Sequence, residues 1–91
     1  MTDLHVERNE HSHDALACWL TAKVARALNV APEAIDVDIP LADYGMDSVA
    51  SLALCADLEH EKDIVAETTI VWDYATIDAI AAHLATREST Q

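Results

Sequence analysis

Apolar residues recur at helical spacing in several stretches of the chain. Over residues 13–29, Leu16, Leu20, Val24, Ala27 and Leu28 fall on one face at about 100° per residue. Ser12 stands where a cap is needed, and Asp14 suits the positive end of the helix dipole. Trp19 lies at the edge of the stripe beside Lys23 and Arg26, whose stems can cover the ring. Cys18 falls away from it. A second helix is predicted over 48–61, a short third around Thr69–Trp72, and a fourth over 77–86. In the fourth, Thr76 is the cap, Asp78 sits in the first turn, and Ile77, Ile80, Ala81 and Leu84 face inward. Residues 30–46 form a long connection that Pro32 and Pro40 keep from becoming helix. Val30, Ile35, Val37, Ile39 and Leu41 can pin it to the core. A connection of this length in a small domain is uncommon unless it has a function. The expected fold is all-α: a small four-helix bundle with three main helices, a short third helix and a long loop between the first two. Residues 1–12 read as a mobile tail, 13–86 as the domain and 87–91 as a polar tail.

The second helix departs from an ordinary amphipathic pattern. From Ser48 to Ala56 it has no charge. Ser51, Leu54, Cys55 and Leu58 cluster on one side, which we read as the core face. Val49, Leu52 and Ala56 lie nearly opposite, with Ala50 and Ala53 between. A small bundle has too few elements to wrap one helix completely. The second stripe is therefore either a docking surface or alanine-rich filler with two exposed aliphatics. Ahead of it, Gly45 suits a turn with positive φ, and Asp47 suits a helix cap. Ser48 then points outward near a helix N-terminus, a place that favours a phosphate ester. The same residues also begin helices that have no such role.

Composition narrows the partners. The chain has 91 residues and a formal charge of −12, which disfavours nucleic acid and anionic membranes, since binding there needs Lys and Arg. The charge fits a basic patch on another protein, or serves solubility alone. Alanine supplies much of the 52% apolar content and adds helix propensity more than core volume. Residues 1–13 lack a signal peptide's apolar segment, and no stretch reaches the length of a membrane span. Two reduced cysteines, Cys18 and Cys55, fit a cytoplasmic chain. The spacing of His5, His11 and His13 matches no closed metal site, and these residues read as solvated tail. Asp36, Asp38 and Asp43 fail the calcium-loop spacing. A hydrolase needs a base and an oxyanion hole, but Val49 and Ala50 follow Ser48 where a nucleophile elbow has x-G. His60 stands about three turns along the same helix, and His83 lies on another. Chemistry at Ser48 is thus expected to be done to it rather than by it.

"DYGMDSV" resembles the attachment motif of acyl carrier proteins, G-x-D-S-[LV]. The resemblance runs from about residue 16 to 85. It includes "IDVDIPLADYG" upstream and "LEHEKDIVAETTIVWDYATIDAIAAHL" downstream. The W-D-Y block and the D-S-V variant are most similar to carriers of polyketide synthases; peptidyl carriers of nonribosomal synthetases are similar in fold. Met1 and the short tails suggest a stand-alone carrier. The resemblance implies that a phosphopantetheinyl transferase, using coenzyme A and magnesium, links 4′-phosphopantetheine to the Ser48 oxygen. The arm's thiol then carries acyl groups as thioesters, and the chain has no turnover of its own. Implied partners are a loading enzyme (an acyltransferase or acyl-adenylating enzyme), a ketosynthase and tailoring enzymes. Asp47 is implied to present Ser48 to the transferase, and Val49 and Leu52 to contact partners. Ala56, Asp43, Asp57 and Glu59 complete the expected partner-binding set, and a monomer is expected. Acids bracket the second helix, with Asp43 and Asp47 before it and Asp57, Glu59, Glu61 and Asp63 at its end. Lys62, Ala66, Thr68 and Ala75 depart from the family pattern, and the lost bulk predicts a looser loop between the second and third helices.

Overall fold

The computed structural model describes residues 12–89. Its helices are α1 (His13–Leu28), α2 (Ser48–Lys62), α3 (Ile70–Asp73) and α4 (Ile77–Ser89), and the described residues contain no strand. The four-helix expectation holds, with ends shifted by a residue or so at α1 to α3. α4 runs three residues past 86, into the stretch expected to be a tail.

Local chemistry explains the helix ends. The Ser12 hydroxyl accepts from the Ala15 N–H at 3.2 Å and starts α1. Asn29 ends it in the left-handed region at φ 60°, its N–H donating to the carbonyls of Ala25 and Arg26. The Thr76 hydroxyl accepts from the Ala79 N–H at 3.1 Å and starts α4.

α1 packs against both α4 and α2. Leu16, Leu20 and Val24 are buried as expected, but Ala27 is exposed and Ala25 is buried in its place. The turn at Asn29 sends the chain back, so that the 3₁₀ turn Pro32–Ala34 packs on α1 at that end. From α4, Ile77, Ile80, Ala81 and Leu84 are fully buried.

His13 corrects the sequence expectation of a solvated tail. It is the first residue of α1, and its Nε2 lies 2.7 Å from an Asp78 carboxylate oxygen. The pair ties the start of α1 to the start of α4. His5 and His11 lie outside the described residues. Among the described residues, no group of three or more His, Cys, Asp or Glu side chains could hold a metal ion.

The long connection is pinned less evenly than its apolar pattern suggests. Leu41, Ile35 and Met46 are buried and Val37 is half-buried, but Val30 and Ile39 are exposed. Backbone bonds set this outcome. The Leu41 N–H donates to Ala75 O at 2.8 Å, and the Asp78 N–H to Val37 O at 3.0 Å. Both fasten the connection to the start of α4. The Asp36 N–H donates to the Tyr44 hydroxyl at 2.7 Å, closing the intervening loop. With these points held, the chain turns the Ile39 side chain outward, while Val30 is set by the end of α1, where its N–H donates to Ala25 O at 2.9 Å. No described helix is long and apolar enough to cross a membrane.

Candidate functional site

The site is built where the long connection enters α2. A 3₁₀ turn, Leu41–Tyr44, ends at Gly45, whose φ of 87° lies in the left-handed region. A Cβ there would meet nothing within 4 Å, so the glycine is needed for its backbone and not for space. Met46 then plugs the core. Asp47 caps α2, its carboxylate accepting from the Ala50 N–H at 2.9 Å. Ser48 is the first residue of α2 and is exposed. Its hydroxyl has no hydrogen-bond partner among the described residues.

The two faces of α2 fall where the 100° projection places them. Ser51, Leu54, Cys55 and Leu58 are buried. Val49 is 77% exposed and Leu52 58% exposed, although both are apolar. Ala56 is exposed too. Trp72, on α3, is 48% exposed and was not among the expected site residues. It lines a cleft of about 330 Å³ with Ser48, Leu52, Thr68 and Thr69. The W-D-Y block marks the residue in the sequence but not its place beside Ser48, which depends on how α3 sits against α2.

The acids divide into two sets. Asp43 and Glu59 are exposed. Asp57 lies 3.8 Å from the Lys23 ammonium, which also binds Glu61. Glu61 further accepts from the Trp19 Nε1–H at 3.2 Å. The hydrogen bond from Lys23 is the main reason that the Glu61 carboxyl is held below the usual glutamate range, with the Trp19 bond adding to it. Lys23 and Lys62 both lie over the Trp19 ring, 5.4 and 5.8 Å from its centre. Thus Asp57 and Glu61, at the far end of α2 from Ser48, are partly neutralised within the molecule. Arg26, expected beside the ring, is exposed.

The remaining histidines stand apart from Ser48. His60 is exposed on α2. His83 stacks on Tyr74 with ring centres 4.2 Å apart. It borders a second cleft of about 480 Å³, lined also by Val65, Ala66, Glu67, Ile70 and Asp73. The missing bulk at Ala66 opens onto this space. The loop above it is nevertheless tied to α2, since the Ile64 N–H donates to Leu58 O at 3.1 Å.

An exposed, unpartnered hydroxyl at the head of a capped helix is a group that an enzyme can reach and modify. The phosphopantetheine attachment-site family matches residues 18–84. The chain belongs to that family, whose members hold phosphopantetheine covalently and act as carriers without turnover of their own. It is 33% identical to mellein synthase of Phaeosphaeria nodorum over a 67-residue alignment that covers 68% of this chain and 4% of that protein. It is 38% identical to 5-methyl-1-naphthoate synthase of Streptomyces sahachiroi over 63 residues, 69% of this chain and again 4% of the relative. The chain thus spans a small fraction of these curated relatives.

Among solved structures, it is similar to a free-standing peptidyl carrier protein from an Acinetobacter baumannii secondary metabolic pathway. The TM-score is 0.82 at 33% identity, over 86% of this chain and 98% of that one. It is also similar to the acyl carrier protein LipD of Actinoplanes friuliensis, with a TM-score of 0.70 at 35% identity, over 100% of this chain and 98% of that one.

Proposed function

We propose that Ser48 bears the 4′-phosphopantetheine and that the chain carries acyl intermediates of polyketide assembly. One observation carries this reading: the Ser48 hydroxyl is exposed and unpartnered among the described residues, at the first turn of α2. The residues around it suit the group. Asp47 occupies the cap, so the first turn and the direction of Ser48 are held. The helix N-terminus favours a phosphodiester. The cleft of Leu52, Thr68, Thr69 and Trp72 gives the arm a wall to leave along.

When attached, the group supplies a thiol that holds an acyl chain as a thioester. The chain's own residues present and steer. Val49, Leu52, Ala56 and Trp72 offer an apolar face beside the attachment point. Asp43 and Glu59 favour a basic partner surface, to which Asp57, shared with Lys23, adds less. The partners of this reading are a phosphopantetheinyl transferase, a loading enzyme, a ketosynthase and tailoring enzymes, met in the cytoplasm by a monomer.

Intact-mass spectrometry tests it. With coenzyme A, magnesium and a broad-specificity transferase, the wild-type chain gains one phosphopantetheine and Ser48→Ala gains none. A wild-type chain that stays unmodified would sink the proposal.

The likeness to a free-standing peptidyl carrier favours a second reading, in which the cargo is an aminoacyl or aryl group. Loading assays on the modified chain separate the two. An adenylating enzyme with ATP loads the peptidyl type, and an acyltransferase with an acyl-coenzyme A loads the polyketide type.

A further inference from the structure

Most of the segment between α2 and α3 has no helical structure of its own. Two side chains of α2 hold it. Ser51, three residues after Ser48, is 1% exposed, the one buried polar residue among those described. Its hydroxyl donates to the Thr68 carbonyl at 2.9 Å. One turn further on, the buried Cys55 thiol donates to the Glu67 carbonyl at 3.4 Å. Burial pushes this thiol up, which keeps its proton in place as a donor. Successive carbonyls of the segment are thus latched to successive turns of α2. Neither donor is needed to start α2, which Asp47 already caps. An apolar residue would suit the core face better than Ser51 unless the hydroxyl is needed for the segment it binds.

The latched segment forms a wall of the cleft at Ser48. Thr68 and Thr69 line that cleft together with Ser48 and Leu52. The Trp72 N–H donates to Thr69 O at 2.8 Å, so the place of Thr69 sets where α3 starts and where the indole lies. We propose that Ser51 is a positioning residue for the modification of Ser48. Its hydroxyl fixes the Thr68–Trp72 wall relative to Ser48, and the transferase engages wall and serine as one surface. Ser51 touches no reacting atom and acts through the loop. This role rests on the reading of Ser48 as the attachment residue.

Two measurements on the unmodified chain test it together: transferase kinetics and amide hydrogen exchange over residues 64–73. Ser51→Ala is expected to raise the KM for this chain roughly fivefold, the factor that one ordinary hydrogen bond represents. Its kcat stays close to wild type, because Asp47 and Ser48 are untouched. Exchange over 64–73 accelerates. Ser51→Thr keeps the hydroxyl and restores both values. Ile80→Val trims the core without touching either latch, and leaves KM unchanged.

A wild-type KM in Ser51→Ala would overturn the proposal. So would an equal rise in Ile80→Val, or a folded Ser51→Thr that behaves like Ser51→Ala. Should Ser51→Ala fail to fold, Cys55→Ala, which removes the weaker latch, is expected to show both changes at smaller size, and wild-type behaviour there overturns the proposal. A wild-type chain that the transferase leaves unmodified would instead defeat the Ser48 reading, and the positioning role with it.

Discussion

Gly45, Asp47 and Ser48 show what single residues contribute. Each acts through its own backbone or its nearest neighbours. Gly45 supplies a left-handed φ of 87° in open space. Gly45→Ala is therefore expected to cost about 1–2 kcal/mol through the backbone alone, read by urea denaturation. Such local chemistry is legible in sequence, because a turn, a cap and the next helical residue follow one another in the chain. Ser51 was legible only as a member of the core face. Its bond to the Thr68 carbonyl spans 17 residues, and no local rule anticipates it. Trp72 was missed for the same reason.

At the scale of elements, α2 is the informative helix. Its core and outer faces followed from helical geometry, since one rigid 3.6-residue period decides which side chains share a side. The prediction is correspondingly direct. Leu58 is fully buried, and Leu58→Ala should destabilise by roughly 2–5 kcal/mol in denaturant titration. Leu52 is over half exposed, and Leu52→Glu should leave the circular dichroism spectrum and stability nearly unchanged while impairing turnover by partner enzymes. A Leu52→Glu chain that unfolds would contradict the face assignment. Projection succeeded less well where an element ends or is irregular. Ala25 replaced Ala27 because the chain folds back on α1 at Asn29. Val30 and Ile39 are expected inside, but backbone bonds to the end of α1, to the start of α4 and within the connection set which side chains turn in.

Over the whole molecule, charge is unevenly placed. Of the cations among the described residues, Arg87 lies near the end of α4, while Lys23 and Arg26 lie on the last two turns of α1 and Lys62 ends α2. There Lys23 holds Asp57 and Glu61, while Asp43 and Asp47, near Ser48, face no cation in an ion pair among the described residues. On the proposed reading, this placement draws a basic partner surface more to the Ser48 end than an even acidic coat would allow. The Glu61 pair has a pH signature. Its carboxyl is held below the usual range in the folded chain, so the unfolded chain binds the proton more readily. The pair's contribution is complete above the ordinary glutamate value and is lost as pH falls from there through the lower value of the folded chain. Trp19 fluorescence, followed through an acid titration, should report that loss. Glu61→Gln should remove the transition from the Trp19 signal.

The sequence alone determined the helices, the two faces of α2, and the turn, cap and serine at its head. These depend on period, propensity and neighbours within a few residues. Tertiary structure decided which acids remain open to a partner, which apolar residues of the long connection are buried, and how Ser51 and Trp72 relate to Ser48. Those outcomes arise from hydrogen bonds and ion pairs between segments distant in the chain. Their geometry exists only once α1, α2, α3 and α4 have packed.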